Sequence, residues 1–345
     1  MSEGKFLACW PKVWNALPCR RTRGHSGLMT EHNPGEPEPA LPERPKRTKG
    51  ILIGIGAVVV IALVAVVVLL VSGSGDDTAS GDRVTVRIGT TEASSEYWVA
   101  LREIAAAEGI DIEPVNFSDY NQPNPALTQG HTDLNLFQHL LFLANHNTAS
   151  GDTLTPIAST YVVPLSLYSR KHDAVEDIPR GGTVAIPNDP TNQARALLVL
   201  QEAGLVRLRD GGTVLSTPAE IDAAASKVTV TPVDAAQTVA ALPSVDASIV
   251  NNNYALDGGL DPTTALFADD PSSPAAEPYL NVIVARAEDK DDPAYRRVAE
   301  LYRDPRVTEL VRAESHGTSV LVDRPPAELE RILAELTATV RSAAQ

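Results

Sequence analysis

The chain has 345 residues, a formal net charge of −15 and 43% hydrophobic residues, which suits one large domain or two linked lobes. The acidic balance argues against a nucleic-acid partner, whose recognition needs Lys and Arg clustered on one face. Cys9 and Cys19 are the only cysteines and both precede a long apolar segment; the roughly 260 residues after it must be stable through their core alone, and that length suffices.

Residues 1–50 read as a disordered cytoplasmic segment, with NPGEPEPALPERPKRTKG rich in Pro and charge. Met29 is an alternative start. Cys9 and Cys19 have no metal-ligand spacing and read as incidental thiols. Residues 51–71, ILIGIGAVVVIALVAVVVLLV, contain no charge; at ~1.5 Å per residue they span ~30 Å, the hydrocarbon thickness of a bilayer. Arg44, Lys46, Arg47 and Lys49 precede this stretch, and Asp76, Asp77 and Asp82 follow it. The cationic flank should stay in the cytoplasm, so the rest of the chain faces outward. We read 51–71 as an uncleaved single-pass anchor. A cleaved secretory signal competes, because VSGSG and DDTASG supply small residues, but its apolar region would be shorter, about 7–15 residues. No Cys follows the stretch to carry a lipid. Residues 72–82 form a short flexible tether with solvated aspartates.

From Val84 onward, strands and helices alternate. VTVRIG (84–89) has the alternation of a half-buried strand. Trp98, Leu101, Ile104 and Ala105 recur at helical spacing. IDIEPVNF (110–117) is strand-like, LNLF (134–137) is a short strand before a helix running through Asn145, and PIASTYVVPLSLYS (156–169) is one or two extended runs. TVAI (183–186) meets a helix at Pro190. VTVTPV (228–233) and ASIV (247–250) flank the helix DAAQTVAAL. LNVIVA (280–285) is a strand, and helices cover most of 292–343. This alternation implies parallel sheets with helices on both faces, and the length favours two such lobes. No internal repeat is visible.

Three segments could carry chemistry. In IPNDPTNQARALLVL (186–200) a strand ends, Asp189 is a natural N-cap and Pro190 suits the first helical position. Free N–H groups there attract anions, and Arg195, about one turn in, can grip a carboxylate with its forked guanidinium. The plain alternative is an ordinary capped helix with a surface Arg. DLNLFQHLLFL (133–143) places Phe137, His139 and Phe142 at a strand-to-helix junction, where open α/β sheets bind ligands; the rings could clamp an apolar chain or a thioether, or belong to the core. IVNNNYAL (249–256) sets three Asn after a buried-looking strand; they offer donors and acceptors for an amino acid, or simply a turn. Catalytic readings find less support. The domain has no CxxC, HExxH, GxSxG or P-loop pattern, and His131, His139 and His146 lack a paired metal motif. We expect no catalytic residue, metal or cofactor.

Four stretches, taken in order, resemble the NLPA family, the methionine-binding lipoproteins of bacterial ABC importers. They are NFSDYNQPNPAL (116–127) with DLNLFQH (133–139), PNDPTNQARALLVLQEAGL (187–205), VNNNYA (250–255) and EPYLNVIVAR (277–286). The resemblance runs from about Val84 to the helices after Arg286. It implies a two-lobed periplasmic-binding-protein-like (type II) α/β fold, here preceded by one transmembrane helix, with lobe 1 formed by 83–170 plus 275–345, lobe 2 by 171–274, and hinges near 165–172 and 273–278. It implies methionine, L- or D-, in the cleft. Tyr120, Phe137 and Phe142 would wrap its side chain with His139 beside them. Arg195 would pair with its carboxylate with Asn192 nearby, and Asn251 would contact its backbone atoms. It further implies an ABC permease and its ATPase as partners, and a binding domain outside the cell membrane. Three departures stand out: Phe142 where the family usually has Tyr, Leu141 where Pro is common, and a transmembrane stretch where relatives carry a lipidated Cys. A membrane-anchored amino-acid sensor is the alternative reading, although the cytoplasmic piece contains no signalling domain; an enzyme would need an assembled nucleophile or acid–base pair.

Overall fold

The structure, a computed structural model, describes residues 83–343. Residues 1–50, read from the sequence as a cytoplasmic segment, the apolar stretch 51–71 and residues 72–82, read as a tether, lie outside the described residues. Among the described residues no helix is long and apolar enough to cross a membrane.

Two five-stranded sheets organise the chain. The first contains β1 (Val84–Thr90), β2 (Ile110–Asn116), β3 (Leu134–His139), β4 (Thr155–Ser159) and β11 (Asn281–Ala285), in the order β2-β1-β3-β11-β4. The second contains β6 (Ser166–Tyr168), β7 (Gly182–Pro187), β8 (Val228–Val233), β9 (Ala247–Val250) and β10 (Phe267–Ala268), in the order β10-β6-β9-β7-β8. A two-stranded ribbon pairs β5 (Tyr161–Val162) with β12 (Val320–Leu321). Pro114 and Pro232 sit opposite Ile88 and Ile186 on β2 and β8. Both are edge strands, the only place a sheet tolerates a residue that cannot donate to the ladder.

The sheets are mixed rather than all-parallel, contrary to the pattern expected from the alternation. β11 runs antiparallel to both β3 and β4, and β6 runs antiparallel to β9. These strands follow the crossings between sheets, so they do not enter by a local right-handed β–α–β turn. Alternation along β11 serves both faces of the first sheet. Ile283 and Ala285 join Ile88, Leu101, Leu134 and Val298 under the helices Tyr97–Ala106, Pro293–Leu301 and Pro305–Glu314. Val282 and Val284 join Leu140, Leu143, Leu329 and Ile332 under the helices Leu140–Ser150 and Pro326–Ala343. The second sheet packs Val184, Ile186 and Ile249 against Leu197 and Leu200 of the helix Pro190–Glu202. Each fully buried side chain of this kind contributes about 1.5–3 kcal/mol relative to exposure.

One boundary read from the sequence moves. Ser166–Tyr168 bonds to β9, and Leu165 and Leu167 are buried in the second core. The chain therefore crosses at 163–165, earlier than the 170/171 division, and returns after Ala268. The run PIASTYVVPLSLYS is buried almost throughout, and Pro164 alone stands at the crossing within it.

Candidate functional site

The strand ends supply the site. β1 leads into Thr91 and Glu92, β2 into the loop carrying Tyr120, β3 into His139 and Phe142, β7 into Asn192 and Arg195, and β9 into Asn251. All of these residues, with Phe137, line one cleft. The seven residues singled out from the sequence are thus brought together. His131 and His146 are not among the residues lining the cleft, and His146 bonds Asp152 at 2.8 Å. Among the described residues no group of three His, Cys, Asp or Glu side chains could hold a metal ion.

A buried amide cluster explains the spacing of the first motif. Asn124 Nδ2 donates to Gln138 Oε1 (2.8 Å), while Asn135 Nδ2 (2.8 Å) and Gln138 Nε2 (2.6 Å) donate to Asn124 Oδ1. This pins the loop before Asn124 to β3 and brings Tyr120 to 6.1 Å from both Phe137 and Phe142, ring centre to ring centre. Phe137 and Phe142 meet edge to face at 5.7 Å, a favoured aromatic arrangement. Leu141, the other departure beside Phe142, is fully buried among Leu329 and Ile332 and does not line the cleft.

His139 ends β3 and caps the following helix: the Phe142 N–H donates to its Nδ1 at 3.1 Å. Burial pushes the imidazole down to about 3, and the Arg195 charge acts in the same direction. The Asn192 side chain opposes them. The ring is therefore neutral, with its proton on Nε2 because Nδ1 accepts. Nε2 is buried without a partner among the described residues, so it is a donor open to a ligand.

Asp189 caps the helix Pro190–Glu202, accepting from the Asn192 N–H at 2.9 Å, and the Asn192 amide also donates to the carboxylate. Asn192 Oδ1 in turn accepts from Asn251 Nδ2 at 2.9 Å. This leaves Asn251 Oδ1 buried and unpartnered, an acceptor suited to an ammonium group. Arg195 is held differently from the sequence expectation. Its bidentate grip goes to Asp269, with Nε at 2.7 Å and Nη2 at 3.0 Å, and Nη2 also donates to the Val163 carbonyl at 2.8 Å. The guanidinium stacks 4.2 Å over the Tyr279 ring. Among the described residues Nη1 makes no hydrogen bond, so a carboxylate in the cleft would meet this single nitrogen rather than the whole fork.

The two halves touch across the cleft. Tyr120 Oη donates to Asn253 Oδ1, Asn253 Nδ2 donates to Thr91 Oγ1 at 3.3 Å, and Tyr254 packs 5.0 Å from Tyr120. Sequence reasoning missed Glu92, Asn253, Asn281, Asp269 and Tyr279. Asn253 lay within the visible Asn run and Glu92 just past a strand end, but Asp269 is 74 residues from Arg195 with no local signal.

Two α/β sheets closing on a polar, aromatic-walled cleft at their strand ends define a ligand-binding protein. Residues 86–322 match the NlpA lipoprotein family model, and the chain belongs to that family. It is 32% identical to the D-methionine-binding lipoprotein MetQ of Salmonella typhi, over 73% of this chain and 93% of that protein. The substrate-binding protein of a methionine transporter from Streptococcus pneumoniae superposes with a TM-score of 0.65 at 37% identity, covering 69% of this chain and 95% of that one. A nutrient-binding protein from Burkholderia cenocepacia bound to methionine gives 0.64 at 35%, covering 68% and 99%.

Proposed function

We propose that this protein captures methionine on the outer side of the cell membrane and delivers it to the permease and ATPase of an ABC importer, with residues 51–71 as its single-pass anchor. The observation that carries the reading is the pair of polar atoms left without a partner inside a ring-walled cleft, the acceptor Asn251 Oδ1 and the donor His139 Nε2. Leaving such groups unpaired costs about 1–3 kcal/mol each, so the cleft is built to be filled. A zwitterionic amino acid fits: its ammonium meets Asn251 Oδ1, its carboxylate meets Arg195 Nη1 and His139 Nε2, and its thioether lies among Tyr120, Phe137 and Phe142, gaining ~0.3–1.5 kcal/mol per sulfur–aromatic contact. The S. typhi, S. pneumoniae and B. cenocepacia relatives, described in terms of methionine, support the ligand. No bond is made or broken; capture and release follow opening and closing of the two halves.

Calorimetric titration of the full-length chain in detergent with L- and D-methionine tests this, with saturable one-site binding of at least one enantiomer as the expected result. No heat at millimolar ligand refutes the reading. Tyr120→Phe removes the hydroxyl that bonds Asn253 across the cleft. Such a bond is worth about 0.5–1.5 kcal/mol, so the variant should bind roughly 3–10-fold more weakly through a less populated closed form. An unchanged affinity would show that this bond does not hold the cleft shut.

A further inference from the structure

Glu92 lines the same cleft, yet capture of methionine gives it nothing to do. The hydroxyls of Tyr97 and Tyr161 both donate to its Oε1 at 2.9 Å, and among the described residues no donor reaches Oε2. Tyr161 donates to Glu92, while Val163, two residues on, accepts from Arg195, so one short stretch of chain touches both.

The rings run between these two ends. Tyr279 lies under Arg195, His139 is 5.4 Å from Tyr279, Phe142 is 6.2 Å from His139, and Tyr120 is 6.1 Å from Phe142. Tyr120 then connects through Asn253 to Thr91, the neighbour of Glu92. A ligand held by its carboxylate at Arg195 and its ammonium at Asn251 would lay its far end among these rings, in the cleft that Glu92 also lines. The charges of the cleft are also uneven. Asp269 already offsets Arg195 and His139 is neutral, so among the described residues lining the cleft Glu92 is the acid without a counter-charge. Aromatic faces beside a carboxylate are the chemistry that holds an alkylated cation, because the ring quadrupole attracts positive charge.

Resting on the reading above, we propose that Glu92 and the ring wall make this cleft selective for a methionine-type amino acid that carries a positive charge at its far end, a sulfonium formed by alkylation of the sulfur. A neutral thioether has no group to meet Oε2, whereas a sulfonium places its charge between the rings and the carboxylate. The groups facing Glu92 are Tyr97, Tyr161, Tyr120 and Tyr302, with the acids Glu314 and Asp257. Burial above all pushes Glu92 up to about 7, Glu314 and Asp257 add to the rise, and the Tyr161 and Tyr97 hydroxyls oppose it. A cation seated against it favours the ionised form, so its binding below neutral pH releases a proton.

The full-length chain in detergent is titrated with L-methionine and with S-methyl-L-methionine at pH 6 and pH 8, as the wild type and as Glu92→Gln, which keeps an acceptor for both tyrosines. The ratio of the two dissociation constants removes effects common to both ligands. In the wild type the sulfonium binds more tightly, and its advantage grows close to tenfold from pH 6 to pH 8, as expected for a carboxyl titrating near 7. In Glu92→Gln the advantage falls at least tenfold and loses its pH dependence. If L-methionine binds but is preferred at both pH values, or the ratio changes less than twofold in Glu92→Gln, the inference is overturned and the proposed function stands. Binding of neither ligand overturns both.

Discussion

Arg195→Ala is expected to weaken methionine binding by roughly 10- to 100-fold, whereas Phe142→Tyr should change it by less than about tenfold. Among the described residues, Nη1 is the one guanidinium nitrogen that makes no hydrogen bond. A charge-assisted hydrogen bond to a carboxylate is worth about 1.5–3 kcal/mol, a factor of roughly 10 to 100 in affinity. Phe142→Tyr adds one hydroxyl to a ring whose packing against Phe137 and Tyr120 persists. The alanine variant also leaves Asp269, whose side chain is 17% exposed, without its cation and supported by the Leu165 N–H at 2.8 Å. Removing one partner of such a buried pair costs about 3–5 kcal/mol of stability, so affinity must be read alongside unfolding. Arg195→Lys separates the two effects. It keeps a charge for Asp269 but loses the planar fork that serves Asp269 and the ligand at once. We expect it to fold and to bind far more weakly than the wild type; a lysine variant that binds like the wild type would remove Arg195 from the carboxylate role.

The second large effect is on stability against pH. Glu92 has its carboxyl raised from 4.5 to about 7, chiefly by burial. A carboxyl with a raised pKa favours folding while it is protonated, so its contribution is complete below about pH 4.5 and disappears as the pH rises through 7. At 1.36 kcal/mol per unit the loss is up to about 3 kcal/mol, reduced to the extent that the open cleft lets water reach the group. Asp189, Asp257 and Glu314 are raised too, mainly by burial, and act in the same direction. Asp246, held low chiefly by the Thr183 N–H and by His172, acts oppositely and loses its contribution as acid is added. Urea unfolding of the ligand-free protein should therefore show falling stability from pH 5.5 to pH 8. Glu92→Gln should flatten that slope and exceed the wild type at pH 8. A wild-type slope unchanged by the substitution would mean that Glu92 is ionised without penalty in the fold.

Most of the candidate cleft was legible because its residues sit on motifs a few positions long. Asp189 and Pro190 announce a helix start, and Arg195 follows within two turns. Phe137, His139 and Phe142 share one strand-to-helix junction, and Asn251 follows a buried strand. Even there, local pattern left each segment open to a structural reading; the order of four segments along the chain, resembling one family, was what joined them. The strand at LNLF also runs two residues further than its apolar run suggests, to His139, because Gln138 is buried in the amide cluster rather than exposed.

What the sequence determined by itself were the local choices: N-caps, strand alternation and the short motifs whose residues line the cleft. Only the tertiary structure decided the charges and the directions. Arg195 spends its bidentate edge on Asp269, 74 residues away, Glu92 is seated by Tyr161, 69 residues away, and β11 enters antiparallel between β3 and β4. Caps and alternation arise from backbone geometry over one or two turns, so they leave a periodic trace in the chain. A buried charge pair, or a strand arriving from another sheet, is fixed by which surfaces meet after folding, and no spacing records that.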